Sequence, residues 1–385
     1  MRLAINGWFW HSPATGSGQT VRYLVPALAE EDGRLEIVLI VPGGEGRPPE
    51  DLPAGVRWVP AAVRPGALGK LWFEQVSFPR LCRRLGADVA HVPYFASPLD
   101  PSVPTVVTIH DLIPMVLPAY RGGPLVRLYT ALVAAAAGRA RLILADSEAS
   151  RRDILARLRV TADQVRVVYL APGLQYRPVA DAEGLAGVRR KYRLPEDFAL
   201  WLSGFDVRKN AAAVLHAYTW VSEVFQGELP LVMAGALPAR DTPFFPDPRR
   251  MAAELGIEQA VHFPGRIDEA DKPALYSAAR LFVYPSRYEG FGLPILEAMA
   301  CGTPVVTSTA ASLPELAGAA AFQIDPDDSR QLAAAIVALG VQDDLRQQLR
   351  EKGLQQAARF TWQKTAAETL AAYRAALDWV NSAVR

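Results

Sequence analysis

The strongest chemical signal lies in residues 284–302, YPSRYEGFGLPILEAMACG. An apolar strand ends at Pro285, a turn carries Glu289, and Gly290, Phe291, Gly292 and Leu293 lead into a helix opened by Pro294. Proline suits a helix start because its missing N–H would be unpaired there anyway. Residues 290–293 are therefore expected at a helix N-terminus, where N–H groups and the helix dipole favour an anion such as phosphate. Glycine there lets a ligand approach the backbone. Glu297 follows eight residues after Glu289, one turn into the helix. Carboxylates accept paired hydrogen bonds from sugar hydroxyls and ribose diols, and neither can ligate a phosphate. A phosphate cradle flanked by two carboxylates suits a sugar nucleotide. A strand–turn–helix with surface glutamates is the competing reading.

Three further segments carry candidate chemistry. In SGFDVRKN, residues 203–210, a strand ends, Gly204 turns the chain, and Arg208 and Lys209 precede a helix. Adjacent cations at such a turn would neutralise a leaving diphosphate without a metal, and a solvated pair of loop charges is the competing reading. In VVTIHDLIP, residues 106–114, a strand runs into His110 and Asp111 at its carboxyl end, where an α/β sheet exposes functional groups. Asp111 is expected to orient the loop or His110 rather than react. In NGWFWHSPATGSGQT, residues 6–20, Gly16 and Gly18 precede a helix. This is G-x-G without the third glycine, since position 21 is Val, which weakens a nicotinamide-binding reading. For Trp8, Phe9, Trp10 and His11, an acceptor subsite that stacks on sugar rings and a partly buried loop anchor are both open.

The elements that must position these residues alternate. Apolar runs at 3–6, 35–41, 89–92, 105–109, 142–145 and 165–170 read as strands. Stretches 19–31, 70–85, 124–138 and 147–158 read as helices. That alternation implies a parallel sheet with helices on both faces. Residues 169–178, YLAPGLQYRP, read as a hinge. A second series follows, with strands at 198–203, 229–234, 261–263, 281–284, 304–307 and 321–324. Its helices fall near 210–224, 248–255, 271–279, 294–301, 312–317 and 328–339. The expected fold is α/β, with two doubly wound domains and a ligand cleft at the carboxyl ends of their strands. The boundaries are 1–175 and 176–361, and an amphipathic helix over 362–385 returns to the first domain.

The run EGFGLPILEAMACGTPVV, continuing to Leu313, Pro314 and Glu315, resembles the Glu-x7-Glu motif of retaining glycosyltransferases of family 4. The resemblance extends from the N-terminal glycine loop to the C-terminal helix. It implies the GT-B fold, two Rossmann-like domains facing a central cleft. It also implies roles. Glu289 would contact the donor sugar, the backbone of Gly290, Phe291, Gly292 and Leu293 the sugar and diphosphate, and Glu297 the ribose hydroxyls. His110 would lie beside the donor sugar, and Lys209 would match the diphosphate-binding lysine. The loop with Gly16 and Gly18 would approach the donor phosphate and the acceptor. Where many members carry Arg after the glycine, this chain has Phe205, and Arg208 or Arg266 could supply that charge.

The implied activity is retaining transfer of a hexose from a nucleotide diphosphate sugar to a glycan or lipid-linked acceptor, by a front-side route. GSGQTVRYL, VTIHDLIP and VRKN resemble polysaccharide mannosyltransferases, which points the donor toward GDP-mannose. A sugar-nucleotide epimerase of similar fold and a non-catalytic partner subunit are the alternatives.

Composition bounds the rest. The 385 residues carry 41 basic and 40 acidic groups, a net charge of +1, which argues against a dedicated nucleic-acid partner. The first 180 residues hold 20 basic and 15 acidic groups, a modest positive excess. Two cysteines cannot build a disulfide framework or a Cys-rich metal site, and no metal or P-loop pattern appears. No leader or membrane-spanning run is read, so a cytoplasmic location is expected. Residues 64–84 mix Lys70, Arg80, Arg83 and Arg84 with Leu68, Trp72 and Phe73. They read either as an amphipathic helix packed on the sheet or as a peripheral contact with an anionic membrane face, the inner one for this location.

Overall fold

The computed structural model describes residues 1–13, 15–43 and 48–383. Ala14 of the N-terminal loop, and Val384 and Arg385 of the expected C-terminal helix, lie outside the described residues. The chain divides into two compact units, Met1–Leu170 with Thr361–Arg385, and Ala171–Phe360.

In the first unit the strands are β1 (Arg2–Asn6), β2 (Glu36–Pro42), β3 (Arg57–Ala61), β4 (Val89–Val92), β5 (Thr105–Ile109), β6 (Leu142–Ala145) and β7 (Val165–Val167). They form one parallel sheet in the order β3-β2-β1-β4-β5-β6-β7. In the second unit β8 (Ala199–Leu202), β9 (Leu231–Ala234), β10 (Val261–Gly265), β11 (Leu281–Tyr284), β12 (Val305–Ser308) and β13 (Ala321–Ile324) form another, in the order β10-β9-β8-β11-β12-β13. Central strands such as β4, β5, β6, β8 and β11 are buried along their whole length. Helices cover both faces of such a sheet, which is why these strands read as unbroken apolar runs. In each sheet the order reverses next to the first strand of the unit, between β1 and β4 and between β8 and β11. Ligands of doubly wound sheets bind beyond the strand ends at that point.

Several elements depart from the expectation. β3 has no counterpart in the sequence reading, because Pro60 interrupts its run; proline is tolerated there because β3 is an edge strand. The helices Ala182–Tyr192 and Asp343–Ala357 bury only narrow stripes, Val188 in one and Leu349, Gly353 and Ala357 in the other. Residues 70–85 do not form a single helix. Ala67–Trp72 and Phe78–Arg84 flank a π-helical turn, Phe73–Ser77, closed by the Phe78 N–H on the Phe73 carbonyl. The wider turn stacks residues five apart, so Phe73 and Phe78 both reach the core, their rings 6.2 Å apart.

The helix Trp362–Ala383 completes the first unit. Trp362 stacks on Tyr23 at 5.3 Å, and Thr365 Oγ1 donates to the Tyr169 carbonyl at 2.7 Å. Tyr373 Oη meets Nδ1 of the fully buried His91 at 2.7 Å, while His91 Nε2 meets Thr108 Oγ1 at 2.9 Å. Among the described residues, no helix is long and apolar enough to cross a membrane.

Burial holds the His91 pKa at about 3, so the ring is neutral in the folded chain and gains a proton on unfolding below its ordinary 6.5. The stability it contributes is complete above about pH 6.5 and is lost as pH falls toward 3. Thermal melts are expected to show a lower Tm at about pH 5 than at about pH 7, and His91→Gln is expected to flatten that dependence. Parallel profiles for the two chains would count against it.

Candidate active site

The loops that follow β8 and β11 meet at the reversal point of the second sheet. After β8 come Ser203 and Gly204, a short turn Val207–Lys209, and Asn210 in the left-handed region at φ 60°. Asparagine tolerates that conformation because its short polar side chain bonds locally. Here Asn210 Nδ2 donates to the carbonyls of Pro285, at 3.1 Å, and Pro326, at 2.6 Å. The backbone joins the same loops, with Arg287 N–H donating to the Arg208 carbonyl at 2.9 Å. Ser286 Oγ lies 3.1 Å from that carbonyl.

Glu289 sits where the loops converge, buried and 9% exposed. Its Oε1 accepts from Lys209 Nζ at 2.7 Å, Tyr284 Oη at 2.8 Å and Ser286 Oγ at 2.6 Å. Its Oε2 pairs with the Arg208 guanidinium at 2.6 Å. Burial alone would raise the Glu289 pKa, but Lys209 and Arg208 outweigh it and hold the carboxyl at about 2. Burial lowers the Lys209 pKa against the pull of Glu289. Burial also opposes the Arg208 charge, yet Glu289 raises its pKa above the ordinary value. Asp206 Oδ1 also lies 3.6 Å from Arg208 Nε, so two cations face two carboxylates across the loop pair. Of the two cations open for the position of Phe205, Arg208 touches Glu289 whereas Arg266 is exposed. Phe205 itself is a core residue, 4.8 Å from the Trp201 ring.

The helix Leu293–Ala300 begins directly after this cluster and has no side-chain cap. Its N-cap, Gly292, has φ +123°, which favours glycine, and a Cβ there would lie 2.8 Å from Leu313 Cδ2, so that side chain would have to shift. Gly290 is buried, Phe291 packs at 6.2 Å from Phe360, and Leu293 is partly exposed. Ser312 Oγ donates to the Glu289 carbonyl at 2.9 Å and also bonds the Phe291 carbonyl, fixing the loop from behind. Glu297 lies on the same helix, buried, and accepts from Tyr276 Oη at 3.0 Å. Burial raises its pKa, against Lys272 and Tyr276. Gly204 is exposed, and a Cβ there would make only ordinary contact.

In the first unit, His110 follows β5. Its Nδ1 lies 2.7 Å from Asp146 Oδ2 and its Nε2 3.2 Å from the Pro93 carbonyl. Asp111 Oδ1 accepts from the Ile113 N–H at 3.0 Å, so it shapes the loop and Asp146 holds the ring. Asp146 was not singled out from sequence, yet it directly follows the apolar run of β6, as His110 follows β5. Tyr284, Ser286 and Asn210 were missed as well. Only the fold shows that they face Glu289 or tie its loops.

The N-terminal loop divides its candidates. Trp10 is buried, 6.1 Å from Trp58 and under Arg22, and acts as a loop anchor rather than a sugar platform. Trp8 packs against Phe73 at 5.3 Å and Phe9 against Tyr94 at 4.9 Å; both keep partial exposure, and His11 is exposed. At Gly18 a Cβ would stand 2.0 Å from the Ser12 carbonyl oxygen, so this glycine serves loop packing, whereas nothing crowds Gly16.

Two family models match the chain. Glycosyltransferase Family 4 spans residues 14–171, and Glycosyl transferases group 1 spans residues 189–356. An O-antigen chain mannosyltransferase B from Escherichia coli is 36% identical over 70% of this chain and 70% of its own. The serotype-specific mannosyltransferase WbdA of Escherichia coli is 31% identical over 68% of this chain, and the match spans only 32% of that longer protein. Among solved structures, a sucrose-phosphate synthase from Thermosynechococcus elongatus superposes with a TM-score of 0.74 at 22% identity, covering 97% of this chain and 98% of that one. The fold is GT-B.

Removing the carboxylate leaves two buried cations against each other. Glu289→Gln is expected to cost about 3 kcal/mol in a denaturant melt. Adding Lys209→Met is expected to recover part of that loss; a double variant less stable than the single one would deny that the pair balances the carboxylate.

Proposed function

The chain belongs to the glycosyl transferases group 1 enzymes, and on that footing we propose that it moves a mannosyl residue from GDP-mannose to a hydroxyl of a glycan or lipid-linked acceptor, with retention at the anomeric carbon. The observation that carries the proposal is the Arg208–Glu289–Lys209 cluster at the reversal point of the second sheet, beside an uncapped helix N-terminus. Diphosphate charge growing in the transition state needs donors fixed in advance, and buried cations locked to a carboxylate are so fixed. Arg208, Lys209 and the backbone of Gly290, Phe291, Gly292 and Leu293 would then receive the diphosphate in place of a divalent ion. Glu289 would accept from the sugar hydroxyls and Glu297 from the ribose. His110 would donate to the sugar from the first unit, and the acceptor would be held by that unit. The mannosyl assignment draws on the names of both relatives.

We also assign the first unit a peripheral contact with an anionic membrane face. The helix Ala67–Trp72 exposes Leu68, at 84%, and Trp72, and the helix Pro124–Ala137 exposes Leu125, at 81%, and Leu128. The two helices touch where Lys70 Nζ meets Tyr129 Oη at 3.4 Å. Arg80 lies over the Trp72 ring, Arg121 precedes the second helix and Arg127 lies in its first turn. Apolar side chains edged by arginines match an interface of acyl chains below and anionic headgroups above.

With GDP-mannose as donor, Glu289→Ala and Lys209→Ala are each expected to lower kcat a hundredfold or more, as loss of a key charge stabiliser costs about 2.7–4 kcal/mol. Wild-type rates in either would remove that residue from the chemistry. The intact chain is expected to sediment with anionic vesicles and less so after Leu125→Ser with Leu128→Ser; equal sedimentation of both chains would withdraw the contact.

A further inference from the structure

His110 offers two ring nitrogens, and the protein presents an acceptor to each. Asp146 Oδ2 lies 2.7 Å from Nδ1, and the Pro93 carbonyl oxygen lies 3.2 Å from Nε2. A carbonyl cannot donate, and an ionised carboxylate cannot either. A neutral imidazole carries one N–H and would leave one of these contacts as two lone pairs facing each other. Both contacts are satisfied together only by the doubly protonated ring. The carboxylate supplies an independent argument. Asp146 is only 2% exposed, and its Oδ1 is buried with no hydrogen-bond partner. A carboxylate taken out of water needs a counter-charge, and among the described residues the ion pair of Asp146 is with His110.

We propose that His110 is a standing imidazolium, with Asp146 as its positioning residue, and that it meets the substrate as a positive charge and hydrogen-bond donor, never as the base that takes the acceptor's proton. Its surroundings agree. Burial works against the charge, but Asp146, then Asp111 beside it, and the Pro93 carbonyl raise its pKa above the ordinary value. His91, on neighbouring β4, is neutral and adds no competing charge. From the helix Glu148–Arg157, Ser150 Oγ donates to the His110 carbonyl at 3.0 Å and fixes the backbone. The ring is about one-fifth exposed, so the charge can face a ligand.

The consequence for transfer rests on the mannosyl-transfer reading above. One C–O bond forms between the acceptor oxygen and the anomeric carbon, and the bond from that carbon to the β-phosphate oxygen breaks. With His110 already protonated, the hydroxyl proton passes to the departing diphosphate. A ring protonated at both nitrogens has no lone pair with which to accept that proton.

The test is ring-nitrogen NMR on the full chain labelled with 15N-histidine, free of ligand, with His110 assigned by the signal lost in His110→Gln. The expected result is one histidine with both nitrogens at imidazolium shifts from about pH 6 to about pH 8. Asp146→Asn keeps an acceptor but removes the charge. It is expected to turn the ring neutral near neutrality and to move the alkaline limb of kcat down by about one to three pH units. A wild-type His110 with one bare ring nitrogen at about pH 7 would overturn the proposal. So would an Asp146→Asn chain that folds with both profiles unmoved. Should that variant not fold, the wild-type titration decides alone. If His110→Gln turned over at the wild-type rate while the NMR result held, the reading of His110 as a substrate contact would fail and the imidazolium would stand.

Discussion

A buried carboxylate shared by two cations is the constraint around which the second unit is arranged. Glu289 cannot remain ionised where it lies unless Arg208 and Lys209 come to it, and they come from a loop 80 residues earlier in the chain. That requirement explains the rest of the neighbourhood. β8 and β11 must be adjacent, Asn210 must turn left-handed to clamp the Pro285 and Pro326 carbonyls, and Gly292 takes a φ that favours glycine where the helix starts. Desolvation that would be destabilising without partners becomes a fixed field with them. The net positive balance of chain charge is small, so the attraction proposed for a diphosphate would come from Arg208, Lys209 and the helix end rather than from composition.

The first unit solves a related problem with different residues. Its sheet has the same reversal, and His110 also stands at a strand end, with a buried carboxylate that directly follows the next strand. The two buried histidines illustrate how surroundings set chemistry. His91 has hydroxyl groups at both nitrogens and is neutral, whereas His110 has two pure acceptors and is charged. The first holds the C-terminal helix to its sheet.

Much of this was legible in the sequence where burial leaves a simple trace. Strands covered on both faces read as apolar runs, and a glycine–proline helix start after Glu289 reads as an anion site. What was hidden has physical reasons. The edge strand β3 tolerates Pro60, so its run is broken. The π turn at Phe73–Ser77 adds one residue to a helical pattern, which periodicity alone does not resolve. For Trp10 a sugar platform and a loop anchor both stood open because aromatic residues serve both purposes, and only its burial against Trp58 decides between them. Asp146 carried a usable signal, an acid directly after an apolar strand. Tyr284 and Ser286 carried none, since strand and turn residues acquire a role only when a distant carboxylate is folded onto them.

Calorimetric titration of GDP into the wild-type chain and into Lys209→Met addresses the Glu289 cluster most directly. The arrangement predicts binding to the wild type that weakens as salt is raised and falls at least tenfold, or about 1.4 kcal/mol, in the variant. Equal affinity of the two chains for GDP, independent of salt, would contradict it.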